Sequence, residues 1–428
     1  MNIRIVKPVQ GGVIGAIASK SAAHRLLICA SLADNETFVR CQERSQDIDA
    51  TARCLESFGS VIRYENGGFF VTPIGKKEDL TKEYSADCGE SGSTLRFLLP
   101  VCGALGMRVN FNMEGRLPSR PLTGLYEEMT SHGCTLSEHG RSPLVLGGKL
   151  TSGSYSLPGN ISSQFISGLL FALPLLESGG VICVTGNLES RPYVDMTLDA
   201  LRLFGITVQE EEKPAIAFRV PGGQTYRSVK IVQTEGDWSN AAFWLCAGAI
   251  GTGGITCTGL DINSRQGDRA IIELLKKFGA CVSVDNGEVT VSPGTLNGIE
   301  INAEDTPDLV PVLAAVASAA RGKTVIKGAG RLRLKESDRL RTVAASLCGL
   351  GADVTETDDG LVIQGKKKLQ GGAVQSFGDH RIAMAAAVLS GACSNPVTIQ
   401  NAEAVNKSYP AFFDDFHVTL GGICEKEN

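Results

Sequence analysis

LKKFGACVSVDNGEVTVSP, residues Leu275–Pro293, holds a helix end, two strand patterns and a turn in one run. The apolar Leu275 and Phe278 with Lys276 and Lys277 between them read as the last turn of an amphipathic helix, closed by Gly279. CVSVD and EVTVS then alternate around Asn286-Gly287, a strong two-residue hairpin signal. The same helix end recurs as LESFG (Leu55–Gly59), EMTSHG (Glu128–Gly133), LRLFG (Leu201–Gly205) and LCGLG (Leu347–Gly351), and more weakly as TLGG near Gly421. The first five of these glycines are spaced 72–74 residues apart, the signature of an internal repeat.

The segment after each helix end repeats as well. VIRYENGGFFVTP, CTLSEHGRSPLVLGG, ITVQEEEKPAIAFRV and DVTETDDGLVIQG are each read as two short strands around a turn, with Asn66-Gly67 and Asp359-Gly360 as further hairpin pairs. Before each helix lies a polar loop with a basic residue: RCQERSQD, EGRLPSRP, GNLESRP, LDINSRQGD, RLRLKESDR and NAEAVNKSYP. Six β/α units of about 70 residues imply an α/β protein of two domains with three units each. Amphipathic helices would bury their apolar faces on the sheets and leave free N–H groups at the loops. Several such N-termini beside basic side chains make an anion trap.

Composition bounds the function. At 428 residues and 43% hydrophobic, the chain is long enough for two or three cores. Its longest apolar runs, LVPVLAAVASAA from Leu309 and GLLFALPLL from Gly168, are too short or interrupted to span a bilayer. The start, MNIRIVKPVQGG, has no apolar signal-peptide core. Thirteen cysteines without a CxxC pair indicate neither a disulfide framework nor a zinc site. These features lead to the expectation of a reduced, cytoplasmic protein without metal or cofactor. A net charge of −5 argues against nucleic acid or an anionic membrane as partner, so an anionic ligand must be met by local basic clusters.

Several loops could form such clusters, and each also has a plainer reading. ASKSAAHRLL places Lys20, Ser21 and Arg25 on the first turns of an apolar helix; a solvated helix start would look the same. DCGESGSTLRFLLP is a Gly/Ser turn suited to giving backbone N–H groups to an anion, or an ordinary capped helix. In ISSQF an N-cap explains one of Ser162 and Ser163, but not both together with Gln164. Arg191 and Tyr193 of RPYVDMTLDALRLFG could be structural, and Asp308 of TPDLVPVL could be a cap. SFGDHRIAMAAAVL sets Asp379, His380 and Arg381 before an Ala-rich helix, where an arginine needs an anion to offset the helix dipole. RLRLKESDRLR (Arg331–Arg341) carries seven charged side chains in eleven positions; a solvated face is one reading, a ligand-facing loop the other. ARGKT (Ala320–Thr324) is a false P-loop, because Ala317 stands at the first required glycine and the helix precedes the strand.

Taken together, SKSAAHR, GESGSTLR, LPSRPL, SSQF, ESRPY, PDLVPVLA, LKESDR, GDHRIAM and NKSYP resemble, in order, the 5-enolpyruvylshikimate-3-phosphate synthases. The resemblance runs from Lys20 to Pro410, and LKESDR and GDHRIAM are specific to that family. It implies the two-domain enolpyruvyl transferase fold, each domain of three βαβαββ units with helix N-termini facing an interdomain cleft. The chain would cross near Ala18 and near Glu235–Asp237. Residues 19–233 would then form the N-terminal half, and residues 1–18 with 234–428 the C-terminal half. The implied reaction transfers the enolpyruvyl group of phosphoenolpyruvate to the 5-hydroxyl of shikimate-3-phosphate and releases phosphate. The protein would be a monomer acting on small molecules, with neither nucleic acid nor membrane as partner.

The resemblance also distributes roles. Lys20, Ser21, Arg25, Ser162, Ser163, Gln164, Ser190, Tyr193, Asp308 and Lys335 would hold shikimate-3-phosphate. Lys20, Gly92, Arg120, Gln164, Arg339, Arg381 and Lys407 would hold phosphoenolpyruvate. The catalytic set would be Lys20, Asp308 and Glu336, with Glu336 moving the methyl proton and Asp308 taking the hydroxyl proton. Lys20 would stabilise charge and protonate the departing phosphate. Asp338 would either fix Arg339 or cap its helix. The glycine at position 92 goes with sensitivity to glyphosate. Glu90 departs from the family's usual asparagine, and a carboxylate there costs anion affinity unless it points away or pairs with a base.

Two rivals remain. The sister enzyme that transfers enolpyruvate to UDP-N-acetylglucosamine shares the fold, but it typically carries a reactive cysteine in the loop matching EGRLPSRP, which has none here. A two-lobed anion-binding protein would also use helix N-termini, but would not need Glu336 among its basic residues.

Overall fold

The computed structural model describes residues 1–75, 82–212 and 215–427. Two compact units account for it, one formed by Lys20–Thr234 and the other by Met1–Ser19 with Glu235–Asn428. Among the described residues each contains three four-stranded sheets, and these six sheets share one strand order. The third module of the first unit shows the pattern: strand Gly153–Pro158, helix Ser163–Ala172, strand Gly180–Thr185, helix Arg191–Leu203, then the paired strands Gln209–Glu211 and Ala217–Val220. The first two strands are parallel and the hairpin joins antiparallel to the second. This is the expected α/β architecture of βαβαββ units.

Three modules are completed by distant chain. In the sheet of the first module, Ile231–Gln233 runs parallel to Thr37–Arg40. In the other unit, Gly12–Gly15 lies parallel to Ile255–Thr258. Asn2–Lys7 sits between Val397–Gln400 and Ile423–Glu427, antiparallel to both. The last hairpin is therefore closed by the first strand of the chain.

Local backbone demands explain the recurring glycines. Gly279 ends the helix Ile271–Phe278 at φ 100°, a left-handed conformation that costs a glycine little. Asn286-Gly287 forms the two-residue loop between Asp285 and Glu288, as expected. Asp359-Gly360 does not: Thr357 pairs with Gly360, so the loop is Asp358-Asp359. Gly360 serves close approach instead, since a Cβ there would lie 1.9 Å from the carbonyl oxygen of Ile326. The turn expected around Lys213-Pro214 lies outside the described residues.

The helices are of two kinds, apolar and amphipathic, and the sequence pattern of those that end at the repeated glycines is amphipathic. The second helix of a module follows that pattern: in Ile271–Phe278 the buried residues are Ile271, Ile272, Leu275 and Phe278. The first helix is buried almost all round, because neighbouring helices cover the side the sheet leaves open. Gly92–Ala104 packs on Ser163–Ala172 in one unit; Trp238–Ile250, Val310–Ala319 and His380–Leu389 pack on one another in the other. Leu313 and Val316 are fully buried there, each contributing about 1.5–3 kcal/mol by leaving water. Among the described residues, no helix is long and apolar enough to cross a membrane.

Candidate active-site clusters

In the unit Lys20–Thr234, the candidate residues cluster at helix starts. Lys20 opens the helix Lys20–Leu32, and its Nζ lies 2.8 Å from Asp47 Oδ2 in the first turn of the helix Gln46–Ser57. Arg25, one turn on, is 3% exposed. Its Nε donates to Thr197 Oγ1 at 2.9 Å, Nη1 to the Ser21 carbonyl at 2.6 Å and Nη2 to the Tyr193 carbonyl at 2.7 Å. Ser190 precedes Tyr193 in the left-handed region at φ 54° and is buried; a non-glycine residue held there marks a strained, over-determined position. Arg191 binds Asp195 at 2.7 Å and Glu210 at 2.5 Å, which makes it structural.

Hydroxyl chains fix these helix starts to one another. His24 Nδ1 bonds Thr51 Oγ1 at 2.6 Å, Thr51 bonds Thr94 at 2.7 Å, and Thr94 donates to Ser91 Oγ at 2.8 Å. Burial pushes His24 down to about 3, so the ring is neutral at physiological pH. Ser91 caps the helix Gly92–Ala104 and Ser162 caps Ser163–Ala172, each accepting from a first-turn backbone N–H. Ser163 is buried at the first helical position. Gln164 bridges two neighbours, accepting from Arg96 Nη1 at 2.8 Å and donating to Ser93 Oγ at 2.9 Å.

Gly92 lies against two guanidiniums. A Cβ at this position would stand 2.7 Å from Arg120 Nη1 and 3.0 Å from Arg96 Nη1. Arg120 itself is buried. Glu90, the departure from the family pattern, packs on the loop ahead of Arg120: a Cβ on Gly115 would overlap its Oε1 at 1.5 Å. A side chain at position 115 would push that carboxylate aside, and the φ of 53° there also favours glycine.

In the other unit the candidates gather around Arg339, which is 1% exposed. Its Nε donates to Asp379 Oδ2 at 2.8 Å and its Nη2 to Asp379 Oδ1 at 3.2 Å, a two-pronged pair. Nη1 reaches Asp308 Oδ1 at 2.9 Å and Nη2 reaches Glu336 Oε2 at 2.5 Å. Asp379 also caps the helix His380–Leu389 and accepts from Ser337 Oγ at 3.0 Å. The charge run Arg331–Arg341 is thus no solvated face at Arg339.

Asp308 is held by cations rather than acting as a cap. Arg381 Nη2 is 3.2 Å from its Oδ2, and Lys335 Nζ is 3.8 Å from its Oδ1. Burial opposes ionisation, yet Arg381, Lys335 and Arg339 outweigh it and hold the carboxyl well below the usual range. Burial lowers the Lys335 ammonium to about 8, despite the attraction of Asp308. Asp338 caps the helix Arg339–Gly349 and pairs with Arg333 at 3.2 Å; of its two expected roles, the structure selects the cap. Lys407 is buried at the end of the turn Ala402–Lys407, which packs on His380–Leu389.

Four residues near these clusters escaped the sequence reading: Asp47, Arg96, Asp379 as the partner of Arg339, and Asp268. Arg96 had a signal, one helical turn after Gly92 on an otherwise apolar helix. Asp379 stood in a recognised motif, but its partner is forty positions away. Asp268 is buried beside Asp308 and Arg381; burial, then the Asp308 charge, raises it to about 7. No sequence pattern distinguishes it from a surface aspartate.

Two units of three βαβαββ modules, with buried cations and carboxylates at helix starts, define the enolpyruvyl transferase class. The enolpyruvyl transferase NikO of Streptomyces tendae shares this fold, with a TM-score of 0.78 at 19% identity over 99% of this chain and 98% of that one. The chain belongs to the EPSP synthase (3-phosphoshikimate 1-carboxyvinyltransferase) family, whose model matches residues 3–416. The 3-phosphoshikimate 1-carboxyvinyltransferase of Clostridium kluyveri is 45% identical over 94% of this chain and 93% of its own. EPSP synthase from Acinetobacter baumannii superposes with a TM-score of 0.81 at 26% identity, covering 99% of this chain and all of that one. The family is therefore the one the motifs resembled, not that of the UDP-N-acetylglucosamine enzyme.

Proposed function

We propose that this protein transfers the enolpyruvyl group of phosphoenolpyruvate to the 5-hydroxyl of shikimate-3-phosphate and releases phosphate. The observation that carries the reading is Arg339, whose one guanidinium binds both Glu336 and Asp308 with Arg381 alongside. Addition–elimination needs one group to protonate the methylene carbon and another to accept the hydroxyl proton, next to cations that offset phosphate and carboxylate charge.

In this scheme Glu336 delivers a proton to the methylene carbon while the 5-hydroxyl oxygen attacks the central carbon. Asp308 accepts the hydroxyl proton. In the second half the C–O bond to phosphate breaks, Lys20 protonates the departing phosphate, and Glu336 takes the methyl proton back. Asp308 is a poor base while three cations hold it. Substrate anions compete for Arg381 and Lys335, so binding raises its basicity at the moment a base is needed. Arg25 with Ser21, Ser162, Ser163, Gln164, Ser190, Tyr193 and Lys335 would hold shikimate-3-phosphate. Gly92, Arg120, Arg339, Arg381 and Lys407 would hold phosphoenolpyruvate, with Lys20 and Gln164 touching both.

Phosphate release is the test. It should require both substrates together and be absent with either alone. Release from phosphoenolpyruvate without shikimate-3-phosphate, or none with both, refutes the assignment.

A further inference from the structure

Arg96 has no role in the scheme above, yet it is 4% exposed on the helix Gly92–Ala104. An arginine is seldom buried unless its donors are used. Here Nη1 donates to Gln164 Oε1 at 2.8 Å and Nη2 to the Pro121 carbonyl at 3.0 Å, with the guanidinium 5.6 Å over the ring of Phe165. Both of these acceptors are neutral amide oxygens.

These two bonds reach two parts of the proposed phosphoenolpyruvate site. Gln164 is bonded at both ends, with oxygen toward Arg96 and nitrogen toward Ser93, so its amide cannot turn over without losing both bonds. Pro121 follows Arg120, so the second bond holds the backbone from which Arg120 projects. The Arg96 guanidinium also flanks Gly92, on the same Cα that Arg120 approaches. One side chain thus spans the glycine, the amide and the arginine.

We propose that Arg96 is the positioning residue of the anion site at Gly92 and Arg120: it fixes the Gln164 amide and the Arg120–Pro121 backbone, and thereby sets affinity for phosphoenolpyruvate without touching the reacting atoms. The proposal deepens the proposed function and rests on it. Lysine keeps the charge but not the planar fork, so it reaches one acceptor at a time; glutamine loses the charge as well.

The test compares R96K, R96Q, Q164A and R96Q/Q164A with the wild type by steady-state kinetics and thermal unfolding. R96Q should raise the KM for phosphoenolpyruvate by roughly tenfold or more while kcat changes less than about threefold. R96K should fall between R96Q and the wild type. In the double variant the R96Q effect should shrink, because part of it runs through Gln164. A KM for phosphoenolpyruvate in R96Q within about twofold of wild type overturns the proposal, as do strictly multiplicative effects in the double variant. If R96Q does not fold, R96K decides: a raised KM at an unchanged unfolding temperature supports the role, and an unchanged KM overturns it. A wild type that releases no phosphate with both substrates refutes the activity itself, an outcome distinct from the failure of Arg96 alone.

Discussion

Arg25 and Arg339 are both buried arginines near helix starts, and their hydrogen bonds go to different kinds of acceptor. Arg25 donates to a threonine hydroxyl and two backbone carbonyls, whereas Arg339 donates to Asp308, Glu336 and Asp379. Neutral acceptors fix a guanidinium's direction and carry no net charge of their own to set against it. Carboxylates carry charge of their own to set against it, and the guanidinium in turn holds them in place. The first unit also holds cation–carboxylate pairs at helix starts, Lys20 with Asp47 and Arg191 with Asp195 and Glu210. Under the proposed function both units offer cations to the substrates, and the two carboxylates that move protons, Asp308 and Glu336, stand among the acceptors of Arg339.

The largest expected effect tests that contrast in stability. Asp379→Ala removes two bonds from a fully buried guanidinium and a helix cap, so unfolding free energy should fall by about 3–5 kcal/mol. Thr197→Val, which removes a neutral acceptor from Arg25, should cost only about 1–2 kcal/mol. Denaturant titration of both variants gives the comparison; equal losses would break it.

Catalysis comes next. Glu336→Gln keeps the size and a bond to Arg339 but cannot move a proton, so kcat should fall roughly 10²-fold or more, about 2.7 kcal/mol. Affinity for shikimate-3-phosphate, measured by equilibrium binding, should change little. Near-normal turnover in the folded variant would remove Glu336 from proton transfer.

Gly92→Ala sharpens the view of the neutral-acceptor cluster. The added methyl meets the Arg120 guanidinium at 2.7 Å, so that flexible end must shift. Glyphosate, longer than phosphoenolpyruvate, should lose about 1–3 kcal/mol more binding than the substrate does. Competition at fixed shikimate-3-phosphate reads this directly, and equal inhibition constants would place Gly92 away from the site. A glycine in the sequence suggests free space at position 92; the structure puts a movable wall there.

The smallest effect is one of pH. Lys335, lowered from 10.5 to about 8 chiefly by burial, is charged below that value and neutral above it. Phosphoryl binding that needs the charge should weaken as pH rises through 8, by roughly tenfold at pH 9. In Lys335→Arg this alkaline limb should disappear from kcat/KM for shikimate-3-phosphate; an unchanged limb would assign it to another group. Stability moves the other way. Between about 8 and 10.5 the unfolded chain holds the Lys335 proton more tightly than the folded one, so this group's contribution to folded stability rises with pH there.

The sequence by itself determined the features that a few neighbouring residues decide. Gly279 and Asn286-Gly287 meet local backbone requirements, since a left-handed helix end and a tight turn each exclude most side chains. Their recurrence exposed six modules, and the ordered motifs identified the family. Asp359-Gly360 marks the limit: the same dipeptide signal was drawn into close contact with the Ile326 carbonyl, and the turn moved by one residue. Only the tertiary structure decided which charges meet. Arg339 and Asp338 are adjacent in sequence, but Arg339 pairs with Asp379 forty residues on and Asp308 thirty-one before. Asp338 turns to the backbone of Arg341 and to Arg333. A cap or a turn is a property of consecutive backbone, whereas a Coulomb interaction depends on distance in space, which folding alone sets.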